Sequence, residues 1–508
     1  MRLQILCVLI SFFVLTSCHE TKEISQTYFC NEVYDDSQPT LAEQLAPLDS
    51  QLLTKTGVYL LEQGEEAMVS RAWLCEQAKE AIDVQYFIFA NDNIGLIGSD
   101  LLLRAADRGV KVRMLVDDIM VDATPEELLA LASHANIEIK IYNPTANTGK
   151  NILGKLYSAA TEYKDFNQRM HNKSFTVDGK VVITGGRNIA DEYFDYDHRY
   201  NFRDRDVLLL GTAVEQVKAS FIEFWEHPLS ANVSEVVDSA EYEFNAKDNF
   251  EFLHQYACNP ENFWPQIRER MKGIPAAFAN IQASGELMWV DDVHFVSDAP
   301  GKNEDERSLV GGGISTDTLV SLIQRAQHSI NIQSPYLITT VESRKLLSDA
   351  VSRGVEVKIL TNSLGSTDAL EAFSGYQRDR KELLATGVQL FEFKPDAASR
   401  LKLMNQDIYA AGRNIPTFGL HAKTMVVDKE ISVVGTFNFD PRSSNLNTEC
   451  LTIIHSDSLA VFLLKTLEED LKSENAWRIT TAFNPDSTCT IFRQVKSKIR
   501  YWVPKNIL

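Results

Sequence analysis

The apolar and polar positions of this chain fall into one arrangement that occurs twice. In WLCEQAKEAIDVQYFIFANDNIGLIGSDLLLRAADRGVKVRMLVDD (73–118), helix-spaced apolar residues lead into an apolar strand, a loop, a second helix and a second apolar strand. VSLIQRAQHSINIQSPYLITTVESRKLLSDAVSRGVEVKILTNS (320–363) reads the same way. Each second helix closes on Arg-Gly, and Gly109 and Gly354 stand where a left-handed helix stop favours glycine. Strands that are apolar throughout are covered on both faces, so the alternation predicts βαβ units around a parallel or mixed sheet. From Gly109 to Gly354 the offset is 245 residues. At 508 residues the chain is too long for one ordinary core, and two copies of one α/β unit account for its length. The predicted halves are 46–230 and 306–475, with 231–305 bridging them and 476–508 forming a basic, aromatic tail.

A second repeated stretch carries the chemistry. HNKSFTVDGKVVITGGRN (171–188) returns 250 residues later as HAKTMVVDKEISVVGTFN (421–438). Alternation puts His171, Lys173, Phe175 and Val177 on one strand face, and His421, Lys423, Met425 and Val427 likewise. Asp178-Gly179 and Asp428-Lys429 read as two-residue hairpin connections. Each return strand ends in a glycine followed three residues later by Asn: Gly185 with Asn188, Gly435 with Asn438. One such motif arises by accident in roughly one chain of this length in several hundred, and two at matching places in about one in a million. Two imidazoles, two ammonium groups and two amides make an anion-binding cage suited to a phosphodiester. Asp178 and Asp428 are expected to tie the turns and not to touch substrate. The copies differ at GGRN against GTFN, so only the second offers a hydroxyl, from Thr436. Each His also needs a partner on its other nitrogen to fix its tautomer. Aligning RDRDVLLLG (203–211) with NTECLTIIH (447–455) offers Asp206 and Glu449.

Charge and the amino terminus narrow the setting. A net charge of −20 argues against nucleic acid as the main partner, since phosphate backbones are bound through basic surfaces. Residues 1–17 open on Arg2 and an apolar run from Leu3 to Leu15, which reads as a secretory signal. Leu15-Thr16-Ser17-Cys18 resembles a bacterial lipoprotein processing box, which implies an acylated Cys18 and a polar tether over 18–45. His19 stands where Asp is associated with inner-membrane retention, which tilts the expected location to the outer membrane of the cell envelope. Five cysteines then remain (Cys30, Cys75, Cys258, Cys450 and Cys489), an odd number that cannot all pair; Cys75 and Cys450 lie in apolar runs and read as buried thiols. No CxxC or HExxH pattern supports a metal.

The doubled motif resembles the phospholipase D (PLD) superfamily, in which two HKD copies build one active site. Within it, GGRNIADEYFD (185–195), SPYL (334–337), TNSLGSTDA (361–369) and GVQLFEFKP (387–395) look like the cardiolipin synthases, the C-type group in particular. Phe373-Ser374-Gly375-Tyr376 departs from that group, which has a His shortly before its GY. The resemblance implies two pseudo-symmetric α/β/α sandwich halves with mixed sheets, packed around one shared site, and a mechanism without metal or cofactor. One His attacks phosphorus while the other protonates the leaving alcohol and then deprotonates the incoming one. The family pattern points to His171 as nucleophile and His421 as acid and base; the residues themselves leave the reverse open. Lys173, Lys423, Asn188 and Asn438 would hold the phosphoryl oxygens. The implied reaction moves a phosphatidyl group onto a phospholipid hydroxyl, with phosphatidylglycerol and, alternatively, phosphatidylethanolamine as substrates. Phospholipase D hydrolysis and a PLD-type nuclease use the same residues. A catalytically dead, lipid-anchored binding protein fits poorly, because both His-Lys pairs are intact.

Overall fold

Each repeat of the βαβ pattern forms the middle of its own mixed sheet. The structure, a computed structural model, describes residues 30, 39–120, 122–144, 168–303, 311–404 and 415–508. The signal segment, Cys18 and the greater part of the tether lie outside the described residues.

The first half contains β1 (Thr56–Leu61), α1 (Gly64–Gln77), β2 (Ala81–Tyr86), α2 (Asn93–Asp107), β3 (Lys111–Asp117), α3 (Pro125–Ala132), β4 (Ile137–Tyr142), β5 (Ser174–Val177), β6 (Val181–Gly185), β7 (Tyr200–Arg203), β8 (Asp206–Gly211), α4 (Val214–Glu226) and β9 (Ser230–Asn232). The connecting stretch adds α5 (Ala246–Cys258), α6 (Ala277–Ser284), β10 (Met288–Val290) and β11 (Asp292–Ser297). The second half follows with α7 (Ile314–Arg325), β12 (Ser329–Gln333), α8 (Val341–Ser352), β13 (Glu356–Asn362), α9 (Leu370–Ala385), β14 (Gln389–Phe393), β15 (Thr417–Leu420), β16 (Thr424–Val427), β17 (Ile431–Gly435), β18 (Cys450–His455), α10 (Asp457–Asp470), β19 (Ala476–Ile479) and the terminal α11 (Ile491–Ile499).

The two sheets run β10-β1-β8-β6-β5-β2-β3-β4-β9 and β11-β18-β17-β16-β12-β13-β14-β19. In each, three strands are parallel (β2, β3, β4; β12, β13, β14), and the hairpin that follows the His-Lys pair joins antiparallel, β5 on β2 and β16 on β12. Gly109 and Gly354 take φ of 96° and 93°, the left-handed stop that lets helix and strand connect in one tight turn.

The apolar strands are buried on both faces for a specific reason. Outer helices cover one face of each sheet: α1, α2, α3 and α5 on the first, α7, α8 and α9 on the second. The inner faces meet each other. Val58, Val182 and Leu209 of the first sheet share one core with Val426, Val434 and Ile454 of the second, flanked by α4 and α10. The halves are therefore fused through an apolar interface, which fixes whatever the two motifs build between them.

The stretch 231–305 is divided between the halves. Leu253 of α5 and Phe278 of α6 pack into the outer core of the first half. β10 pairs with β1, and β11, starting two residues later, pairs with β18 of the other sheet. Cys30 is bonded to Cys258 on α5; Cys75 and Cys450 are buried thiols and Cys489 is partly exposed. Among the described residues, no helix is long and apolar enough to cross a membrane.

Candidate active site

The strands that carry the motif are shorter than alternation predicts. β5 begins at Ser174 and β16 at Thr424, so His171-Lys173 and His421-Lys423 lie in extended segments just ahead of them. What holds those segments is the opposite half. The His171 N–H donates to Thr448 O at 3.0 Å, and Thr448 N–H donates back to Arg169 O at 2.9 Å. In the mirror arrangement β15 runs parallel to β7, and His421 N–H donates to Arg203 O at 2.8 Å. Backbone amides that would be orphaned at the strand start are thus paired across the interface.

The side chains are exchanged in the same way. His171 Nδ1 lies 2.8 Å from Glu449 Oε2, and His421 Nδ1 lies 2.5 Å from Asp204 Oδ2. Each carboxylate accepts the Nδ1 proton and so presents Nε2 as the free lone pair. Glu449 is the partner the sequence offered; Asp206 is not. Asp206 instead binds the Arg71 guanidinium at 2.8 Å and accepts from the Arg187 backbone N–H at 3.1 Å, holding the GGRN loop to α1. The two aspartates sit on either side of Arg205 where β7 gives way to β8, and only the earlier one faces the histidine. Subtracting the 245-residue repeat offset from Glu449 gives Asp204, so the repeat itself carried the signal that the local alignment of charges passed over. Gly186 explains the GG of the first copy: a Cβ there would lie 2.1 Å from the Asp204 carboxylate.

Lys173 Nζ donates to His171 O at 2.8 Å and Lys423 Nζ to His421 O at 2.6 Å; Lys423 Nζ is also 3.0 Å from both ring nitrogens of His421. The two histidines and two lysines are all buried. Burial of the charged form pulls both imidazoles down, His171 to about 4 and His421 to about 3. Burial likewise lowers Lys173 to about 8 and Lys423 to about 7. The charge of each lysine reaches the histidine of the other half, so the four groups form one electrostatic cluster. Opposed to burial, the His421 ring and Lys423 hold Asp204 well below the usual carboxylate range, and His171 and Lys173 lower Glu449. Before substrate binds, both imidazoles are neutral and both carboxylates ionised at pH 7.

The amides are not equivalent. Asn188 Oδ1 accepts from the Ile88 N–H at 3.1 Å, and its side chain also bonds Tyr193. Asn438 is buried, and among the described residues its Oδ1, an acceptor, has no donor, which leaves it able to meet a hydroxyl. Thr436 is fully buried; its hydroxyl accepts from the Cys450 N–H at 2.9 Å and donates to Cys450 O at 3.4 Å, so it is taken up by the backbone of β18. Asp178 accepts from the backbone N–H groups of Lys79, Glu80 and Ala81, and Asp428 from those of Gln327, His328 and Ser329. Each ties its hairpin turn to the start of the neighbouring parallel strand, far along the strand from the histidine. The turns run three residues between strands, 178–180 and 428–430, with positive φ at Asp178, Gly179, Asp428 and Lys429.

Aromatic rings wall the cluster, and no periodicity or spacing in the sequence marks them out. Phe87 stands 5.1 Å from the His171 ring; Tyr193 and Phe202 stand 5.0 and 4.8 Å from the His421 ring. Tyr336 lies 6.5 Å from His421 and donates to Asp368 at 2.7 Å. Phe87, Tyr336 and Asp368 follow the carboxyl ends of β2, β12 and β13, the edge where open α/β sheets gather ligands. By contrast Phe373 and Tyr376 are buried in α9, with Tyr376 donating to Glu392 at 2.7 Å. Among the described residues, no three His, Cys, Asp or Glu side chains are gathered as for a metal ion.

This arrangement agrees with what the chain is similar to. The family model described as "Cardiolipin synthase, PLD-like domain" matches residues 74–225 and again 319–471. Cardiolipin synthase C of Escherichia coli is 34% identical over 87% of this chain and 90% of its own length. An uncharacterized Helicobacter pylori protein is 32% identical over 83% of this chain and 80% of its own. Among solved structures, the phosphatidylserine synthase of Haemophilus influenzae superposes with a TM-score of 0.59 at 14% identity, covering 91% of this chain and 99% of its own, a likeness of fold. With both halves matched and a third of the aligned positions shared with a relative over most of both chains, the chain belongs to the cardiolipin synthase family of PLD-like proteins.

Proposed function

We propose that the protein is a phosphatidyltransferase that moves a phosphatidyl group from one phospholipid to the hydroxyl of another, forming cardiolipin. The observation that carries this reading is the exchange of carboxylates: two buried imidazoles, each oriented through Nδ1 by the opposite half, share one electrostatic cluster with Lys173 and Lys423. In the first step His171 Nε2 attacks phosphorus, the bond to the leaving glycerol oxygen breaks, and His421 Nε2–H gives its proton to that oxygen. In the second, His421 takes the proton of the acceptor hydroxyl, which attacks phosphorus and expels His171. Splitting one displacement into two is the gain of covalent catalysis. Lys173, Lys423 and the Asn438 amide hold the phosphoryl oxygens, and Asn188 lends its remaining amide donor.

Charge balance supplies the acid. Asp204 and Glu449 already offset the positive charge of Lys173 and Lys423, whose pKa values are lowered to about 8 and about 7, so an incoming phosphodiester adds an uncompensated negative charge to a buried site. That charge raises the depressed lysine and imidazole pKa values together, and the complex takes up protons. The expected sign is definite: at pH 7 substrate-analogue binding consumes protons, and affinity falls as pH rises. Calorimetry in two buffers of different ionisation enthalpy reads the uptake directly, and proton release on binding would contradict the scheme.

An apolar cleft of about 610 Å³, within the size range of ligand sites, lies between α7 and α8 and is lined by Phe437 and Phe439, the chain neighbours of Asn438; the His-Lys cluster does not line it. Phosphatidylglycerol, with or without phosphatidylethanolamine, is the substrate set we assign, at the surface of a bacterial envelope membrane reached through an acylated Cys18. The test is mass spectrometry of lipids after purified protein meets each phospholipid, with and without EDTA. Cardiolipin formed in both conditions is expected; phosphatidic acid as the sole product would make the protein a phospholipase D. The intact mass of the same preparation should show a chain starting at acylated Cys18, and an unmodified chain would refute that location.

A further inference from the structure

Helix α11 wears its apolar residues on the outside. Ser497 is fully buried against α9, whereas Ile491, Phe492, Ile499 and Trp502 remain 79%, 77%, 61% and 78% exposed. Val495, also exposed, completes a stripe at i, i+4, i+8 along the helix. Scattered apolar residues are ordinary on a protein surface, but a contiguous patch of this size marks a contact. Lys496 and Lys498 are exposed beside it. The segment 491–508 carries five basic residues and no acidic one, in a chain of net charge −20; Arg500 pairs with Glu371 and Lys505 with Asp379, which leaves Lys496 and Lys498 as the outward charges of the helix.

We propose that this outer face of α11, with the Trp502 turn, docks into the headgroup layer of an anionic phospholipid bilayer. Charge selects the occupant: the described surface of this acidic chain is otherwise repelled by an anionic layer, so this basic, aromatic face determines which side approaches. The inner face is anchored to the catalytic wall. Arg493 donates to Leu364 O at 2.6 Å and Thr367 O at 2.7 Å, and the next residue, Asp368, accepts from Tyr336 beside His421. Tyr200 clasps the same loop by donating to Ser366 O at 2.6 Å. Docking therefore turns the loop at 364–368, and the active-site edge behind it, toward the membrane that holds the substrate. That last link rests on the phosphatidyl-transfer reading; the docking itself does not.

The test uses the full chain with vesicles of phosphatidylglycerol and phosphatidylcholine containing a shallow brominated phospholipid. The fluorescence difference between wild type and Trp502→Phe isolates the Trp502 signal, which is expected to be quenched at low salt. Lys496→Glu/Lys498→Glu should require at least tenfold more lipid for the same quenching, with the gap closing as salt rises. Phe492→Ser/Trp502→Ser should lose about tenfold in transfer on vesicles while turning over monomeric short-chain phosphatidylglycerol at the wild-type rate. An unquenched Trp502, or equal quenching on phosphatidylcholine alone, would overturn the proposal. So would a dimer in solution that Phe492→Ser dissolves. Wild type inactive on both substrates would instead refute the transfer reading, and the quenching would still decide the docking.

Discussion

Replacing either His171 or His421 by alanine is expected to leave a folded protein whose phosphatidyl transfer falls by on the order of 10⁴ to 10⁶, as when other covalent catalysts lose nucleophile or base. The size of the effect follows from the two-step scheme, in which neither imidazole can do the other's work in the same turnover. Stability near pH 7 should fall, because each substitution leaves a buried carboxylate without its Nδ1–H donor. Both rings are buried with pKa values below that of the unfolded chain, about 4 and about 3, so the unfolded state binds the extra protons as pH falls through the range from 6.5 to 4. Wild type therefore loses stability across that window, and each variant should lose less. A single-site enzyme loses everything with either ring; two independent sites would each retain about half the rate.

The second large effect concerns the carboxylates. Asp204→Asn and Glu449→Gln keep the shape of the site but leave the histidine tautomer uncontrolled, and each should lower kcat by roughly 10² to 10⁴. The two sit on opposite halves from the rings they orient, so the loss tests the exchanged geometry directly. Asp206→Asn is the control. It leaves the Arg71 guanidinium buried with its carboxylate removed, and should cost about 3–5 kcal/mol of stability while the folded fraction keeps its turnover. Unfolding curves and kcat measured on the same samples separate the two behaviours, and equal losses of kcat for Asp204→Asn and Asp206→Asn would contradict the assignment.

That contrast also shows where sequence reading reached its limit. The repeat, the parallel middle of each sheet and the two His-Lys pairs were legible because periodicity and internal offset report backbone geometry. Asp204 was hidden by the run RDRD: four alternating charges give no periodic cue to which carboxylate turns inward. The orientation is set by the crossing from β7 to β8 and by Gly186 making room, both tertiary facts. The strand assignment of His171 and Lys173 failed for a related reason. Alternation continues through residues 171–173, but the His171 N–H finds its partner in Thr448 O of the other half and not in its own sheet. The hydroxyl of Thr436 stands out in GTFN against GGRN, but its burial against the Cys450 backbone required the fold to see. The tail was legible as basic and aromatic, while its inward and outward faces required the fold.

The central claim is that both halves build one site, and active-site titration tests it most directly. A phosphodiester with a nitrophenol leaving group needs little help from an acid, so the first step is visible as a burst of nitrophenolate before acceptor attack. The account predicts a burst of one nitrophenolate per chain in wild type, the same burst without further turnover in His421→Ala, and none in His171→Ala. A wild-type burst of two per chain, with either variant still turning over, would contradict it.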